Sequence, residues 1–275
     1  MLTRLPAILC LFAGMATSLV QAAAAQERER PERIGGKPNL NGIWQAMNTA
    51  HWNLEGHSAE ALEQFWQLGA IAAIPAGQSV VVGGEIPYLP EALARRDENR
   101  AGWPASDPEA NCYMPGIPRA TYMPYPFQII QGEGDVILFS YTYANANRPV
   151  YMTDHQIAPV DLWMGRSNGS WDGDTLVIEV NSTIDQTWFD RSGNHHSSAM
   201  IVTERYTPIS DNIMQYEATI DDPQTFARPW TIRMPLYRHV EENARLLEFN
   251  CVEFSEELLY GDLMTRDAEP EPDAP

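Results

Sequence analysis

Basic residues are scarce in this chain: 18 lysines and arginines stand against 37 aspartates and glutamates, a formal net charge of −19. Such a balance repels phosphate backbones, so no nucleic-acid partner is expected. Cysteine is scarcer still, with three residues in 275. Cys10 falls in the N-terminal apolar run, which leaves Cys112 and Cys251 as an even pair. In an oxidising compartment an even pair favours a disulfide over free thiols, one of which could otherwise be a nucleophile. Long apolar runs are absent beyond the N-terminus, which predicts no transmembrane segment in the mature chain. Phosphate loop, dinucleotide fingerprint and haem motif are all missing, so no organic cofactor is expected. No H-x-H or H-E-x-x-H spacing occurs either. A metal at His195 and His196 would have to recruit distant groups such as His155 or Glu253, and none is expected.

What is present begins with an export signal. Residues 1–25 have a basic start at Arg4, an apolar run from Leu5 to Val20 and small residues ending at Ala25. That is a signal peptide with an A-x-A cleavage site, which predicts a periplasmic or secreted protein. Residues 26–38, QERERPERIGGKP, read as a flexible arm, and the acidic, proline-rich residues 266–275 as a disordered tail. Between them, residues 39–265 are long enough for one large domain.

That domain reads as mainly β. Alternation predicts strands at Val136–Tyr143, Thr175–Asn181, Ala199–Tyr206, Ile213–Ile220, Pro229–Tyr237 and Arg245–Cys251. Asp172-Gly173-Asp174 and Pro208–Asn212 read as turns, and SVVVGGEIPY as a short strand or hairpin. An apolar stripe at Leu62, Phe65, Trp66, Gly69 and Ala70 predicts a helix over 58–73 capped by Ser58. A second helix starts at Pro90. The prolines from 104 to 126 leave an extended covering loop with no regular element, anchored by Cys112. Consecutive strands with short connections predict an antiparallel lipocalin-like barrel, or a sandwich, with a few peripheral helices and long loops.

A set of motifs in order carries a family resemblance. Gly169-Ser170-Trp171-Asp172-Gly173-Asp174-Thr175-Leu176-Val177 comes first, then Thr187-Trp188, Asp190, His196-Ser197 and Thr203-Glu204-Arg205. Thr219-Ile220-Asp221-Asp222-Pro223 and Arg228-Pro229-Trp230 follow, with Pro115-Gly116-Ile117-Pro118-Arg119 upstream. The chain resembles a large family of exported bacterial proteins over most of its mature length. The resemblance implies an exported, lipocalin-like β domain and no general activity. It also makes His196, rather than His195, the histidine of interest.

The candidate chemistry sits in and after the polar loop from Asp185 to Ser198. A histidine beside a carboxylate is a ready general acid/base, so His196, with His195 next to it and Asp190 to orient it, is a catalytic candidate. The competing reading is a hydrogen-bonded histidine that orders the turn. Glu204 shares a strand face with Val202 and Tyr206, and as a carboxylate facing a barrel interior it must be paired or have its pKa raised. Its possible partners are Arg119, Arg148 and Arg228. Arg119 and Arg228 could receive a ligand's polar end or clamp loops to acidic turns. Trp163, Trp188, Trp230 and Tyr206 are candidates to line a pocket. The G-x-S-x-G at Gly165–Gly169 lacks the strand-to-helix context of a serine hydrolase and reads as a glycine-rich turn. These readings predict an acid-base enzyme, a lyase, hydratase, isomerase or hydrolase, acting on a small apolar or aromatic molecule. The alternative is a non-catalytic periplasmic carrier, and a third reading is an interaction module. Histidine and carboxylates converging in a cavity would favour the enzyme; an apolar lining would favour the carrier.

Overall fold

Inward alternation along nine strands closes them into a barrel in the computed structural model, which describes residues 32–62 and 73–253 with Ser255, Leu258 and Gly261. The strands are β3 (Gly42–Ala46), β4 (Phe127–Ile130), β5 (Val136–Tyr141), β6 (Asn147–Tyr151), β7 (Arg166–Asp172), β8 (Thr175–Asn181), β9 (Ile201–Ser210), β10 (Ile213–Asp221) and β11 (Trp230–Arg238). They follow one another around the barrel as β10-β11-β3-β4-β5-β6-β7-β8-β9, with β9 closing on β10. Two-residue strands β1 (Arg33–Ile34) and β2 (Lys37–Pro38) form a hairpin outside it. The signal peptide, residues 26–31 of the arm, most of the expected helix over 58–73 and the acidic tail lie outside the described residues.

The odd number of strands has a topological consequence. A closed ring of nine strands cannot alternate direction all the way round, so at least one neighbouring pair must be parallel. That pair is β6–β7, joined over only Val150↔Ser167 and Tyr151↔Asn168. The antiparallel β10–β11 pair, by contrast, runs unbroken from Ile213↔Tyr237 to Ile220↔Trp230. A parallel pair needs a long crossover, and residues 152–165 supply it by strapping back over β7. His155 Nε2 donates to the Gly169 carbonyl at 2.7 Å, and Asn168 exchanges hydrogen bonds with the Gln156 backbone at 3.1 and 2.9 Å.

The barrel interior is packed with large side chains. Phe127, Phe139, Tyr206, Tyr216, Ile178, Val202, Ile220, Ile232 and Leu236 are all buried in one cluster with Trp230. Helix α1 (Pro90–Ala101) starts at Pro90 as expected and buries Ala92.

Several expectations change. Of the glycine-rich turn expected at Gly165–Gly169, Gly165 does close a turn, at positive φ with its N–H on the Leu162 carbonyl, but residues 166–169 are the start of β7. A Cβ on Gly169 would come within 2.6 Å of Met152 Sδ and Val150 Cγ1, so that glycine admits the strap against the strand rather than turning the chain. Arg245–Cys251 forms no strand: Leu247 is exposed and Phe249 packs on Tyr125 and Tyr143. Pro208 lies inside β9, which runs on to Ser210 and shifts register beside Ile213. SVVVGGEIPY makes only single bridges, Val81↔Ile232 and Tyr88↔Phe226. One helical turn, α2 (Arg119–Tyr122), survives among the prolines. The described end of the expected helix is extended instead, with His57 bridged to Gly77 and Glu60 to Ile74, so Ser58 caps no helix. The second half of the arm is the β1–β2 hairpin, turned by Gly35 and Gly36 at positive φ.

The disulfide forms. Cys112 and Cys251 are bonded with Cα atoms 5.7 Å apart, which ties the covering loop to the C-terminal arm. Among the described residues no helix is long and apolar enough to cross a membrane.

Candidate functional site

Strand alternation places Glu204 inside the barrel, as its face predicted, and there it is fully buried beside Val202 and Tyr206. Its partner is Arg148 on β6, whose Nη2 donates to Oε2. Tyr216 and Tyr206 both donate to Oε1, at 2.7 and 2.9 Å. Because the Tyr206 proton goes to the carboxylate, the 3.3 Å contact with Thr121 is a hydrogen bond that Thr121 Oγ1 donates. Arg148 spends its remaining edge on Ser167 Oγ at 2.7 Å and Tyr141 Oη at 3.4 Å. Burial, reinforced by the negative charge of Glu204, holds both Tyr206 and Tyr216 well above the usual phenol range. The result is a paired, closed network, the condition under which a buried charge is tolerated.

His196 lies elsewhere, in the loop that closes one end of the barrel. Its Nδ1 faces the Ser197 carbonyl at 2.9 Å and so must carry the proton; Nε2 then accepts from Thr187 Oγ1 at 2.7 Å. Burial pushes its pKa down to about 4. Both ring nitrogens are committed, and among the described residues no hydrogen bond joins His196 to Glu204 or Asp190. Asp190 accepts instead from Leu54 N at 2.8 Å, Ser192 N at 2.9 Å and Asn194 Nδ2 at 2.7 Å, which staples two loops together. Burial raises its pKa to about 6. His195 donates from Nε2 to the Ala92 carbonyl at 2.9 Å and anchors the loop to α1.

The arginines divide. Arg119 is a clamp: it is buried and paired with Asp107 at 2.9 Å and Glu109 at 2.7 Å. Burial alone would raise the Glu109 carboxyl, but Arg191 and Arg119 outweigh it and bring the pKa down to about 2. Arg228 is exposed, and among the described residues its side chain donates to its neighbour's carbonyl, Pro229, at 3.3 Å. Trp188 and Trp230 are buried, and Trp230 packs edge-on against Phe189 and Phe226. The catalytic candidates are therefore not brought together: Glu204 and Tyr206 meet inside the barrel, whereas His196 and Asp190 hold the loop between β8 and β9.

A cavity does open beside the parallel β6–β7 seam. Residues of β6 and of the chain entering β7, which pair at only two positions, line a pocket of ≈ 330 Å³. Met114, Leu162, Trp163 and Met164 give it apolar walls, and Trp163 packs at a tilt against Tyr113 with ring centroids 5.0 Å apart. Arg148 and Ser167 also line it, so it reaches the outer edge of the buried network. Of the tryptophans considered as pocket residues, Trp163 lines this cavity. Arg166 and Tyr151 were missed because neither flanking strand was legible. Among the described residues no three of His, Cys, Asp and Glu stand close enough together to hold a metal ion.

Comparison of the chain with protein families, with curated proteins and with solved structures finds no match.

Proposed function

We propose that the protein is an exported, lipocalin-like carrier of a small apolar or aromatic molecule, held in the pocket at the β6–β7 seam. The observation that supports it most directly is the lining of that pocket, an apolar wall around Trp163 with a few convergent polar groups, the usual make-up of a small-ligand site. The commitment of both His196 nitrogens to loop hydrogen bonds favours carriage over acid-base turnover. The Cys112–Cys251 disulfide suits an oxidising compartment, in line with the N-terminal signal.

The test is binding followed by recovery. N-phenyl-1-naphthylamine, a neutral apolar fluorophore, is expected to bind the mature protein with one-to-one stoichiometry, and Trp163→Ala is expected to weaken it about tenfold. Candidate ligands co-purified or added should be recovered chemically unchanged. Turnover of a bound molecule that Glu204→Gln or His196→Ala abolishes in folded protein would replace the carrier with the acid-base enzyme.

A further inference from the structure

The seam pocket contains a second feature that its apolar walls do not explain. Arg166, the first residue of β7, lies with its guanidinium carbon 3.4 Å from the centroid of the Tyr151 ring. Nη2 is fixed by the Asp154 carbonyl at 2.7 Å and the Asp154 carboxylate at 3.2 Å. Nε is buried without a hydrogen-bond partner, and the side-chain hydrogen bonds that Arg166 makes to the described residues come from Nη2. A guanidinium with one nitrogen tethered and its face stacked on a ring is already oriented, so little entropy is lost when Nη1 engages an acceptor. A carboxylate that pairs with this group lies in the guanidinium plane. The rest of the ligand is then directed along the wall formed by Trp163 and Leu162.

We infer that the seam pocket takes a planar aromatic monocarboxylate, with Arg166 receiving the carboxylate and Trp163 packing against the ring. This rests on the seam pocket being the ligand site. The charge balance favours a monoanion over a dianion such as a phosphate monoester. Arg148 is already neutralised by Glu204, Asp154 already pairs with Nη2 of Arg166 and offsets part of its charge, and the chain as a whole is strongly acidic. The apolar walls in turn select against a small inorganic anion, which would leave Met114, Leu162 and Trp163 uncovered. Arg166 therefore supplies the selectivity and Trp163 the contact area.

Isothermal titration of the disulfide-bonded mature protein at pH 7 with 2-naphthoate and with its neutral isostere 2-naphthamide separates these roles. The expected result is that naphthoate binds at least tenfold more tightly than the amide, the scale of a charge-assisted hydrogen bond. Arg166→Gln should weaken naphthoate to the level of the amide and leave the amide unchanged. Arg166→Lys, which keeps the charge but loses the planar fork, should retain part of the preference. Trp163→Ala should weaken both probes alike. Equal binding of acid and amide, or an Arg166→Gln variant with unaltered preference, overturns the carboxylate assignment and leaves the pocket standing. Binding of N-phenyl-1-naphthylamine without any binding of naphthoate does the same. If neither the fluorophore nor either naphthalene probe binds, the seam pocket is not a ligand site and both readings fall.

Discussion

Glu204 shows how a single buried charge is held and what holding it costs. Its two oxygens take three donors from Arg148, Tyr206 and Tyr216, so removing any one member strands the others in the barrel interior. Arg148→Met is expected to destabilise the protein by about 3–5 kcal/mol, measured by urea unfolding, because it leaves an unpaired carboxylate among aromatic rings. Replacing both charges together, as Arg148→Met with Glu204→Leu, should recover most of that loss; a double variant as unstable as the single one would show that packing, not the stranded charge, sets the cost. Strand alternation was enough to place Glu204 inside. It could not choose Arg148 over Arg119 and Arg228, because that choice depends on the β5–β6 register, where Arg148 stands opposite Phe139. The surroundings of His196 were hidden for a similar reason. A histidine near carboxylates in sequence looks poised for proton transfer, but the groups its ring nitrogens meet are a threonine hydroxyl and a main-chain carbonyl, which leave no pattern along the chain.

At the scale of elements, the closure rule for an odd ring accounts for what the pattern of hydrophobicity missed. The strands from β8 to β11 have antiparallel neighbours and clean alternation, and they were legible to within a few residues. β6 and β7 were not: the first is NRPVY, with arginine inward and a proline, and the second is RSNGSWD, polar and glycine-bearing. Both are irregular because they meet at the parallel seam and must also admit the strap. Gly169 is the point of closest approach, and Gly169→Ala should cost about 1–3 kcal/mol, since the added methyl meets the stiff Val150 as well as the flexible Met152. Thermal unfolding of that variant checks it; a loss no larger than at an exposed glycine such as Gly134 would mean that the strap can lift. The C-terminal arm was mistaken for a strand because Arg245–Cys251 alternates, yet it is pinned by its disulfide and by Asn145 Nδ2 donating to the Phe249 carbonyl at 2.9 Å. Reducing that bridge should therefore cost stability, about 2–5 kcal/mol for so long a loop, without unravelling the sheet. Far-ultraviolet circular dichroism of a Cys112→Ser, Cys251→Ser variant should retain the β signal, and loss of that signal would show that the arm is part of the barrel's cooperative unit.

The whole molecule's response to pH follows from which buried groups are held neutral and which are held charged. Burial lowers His196 to about 4 and, with the nearby Arg191 charge adding to the effect, lowers His51 to about 3. In the unfolded chain both would titrate near about 6.5. As pH falls below that value the unfolded state takes up protons that the folded state refuses, so the stability these histidines contribute at neutral pH is lost progressively. Asp190 works the other way. Its folded pKa of about 6 exceeds that of an exposed aspartate, so on acidification the folded state binds its proton first and gains stability. Two histidines with larger shifts oppose one aspartate, and the net effect is a fall in stability between pH 7 and 5. Relief of repulsion among the many surface carboxylates sets in only nearer their ordinary values of about 4, below this window. Urea unfolding at pH 7, 6 and 5 should accordingly show a falling midpoint. Asp190→Asn, which removes the opposing group, should steepen the fall from pH 6 to 5, and His196→Gln should flatten it. A midpoint that holds steady or rises from pH 7 to 5 would mean that the histidines accept protons in the folded barrel, and the loop around His196 would then have to be reconsidered as a proton-transfer site.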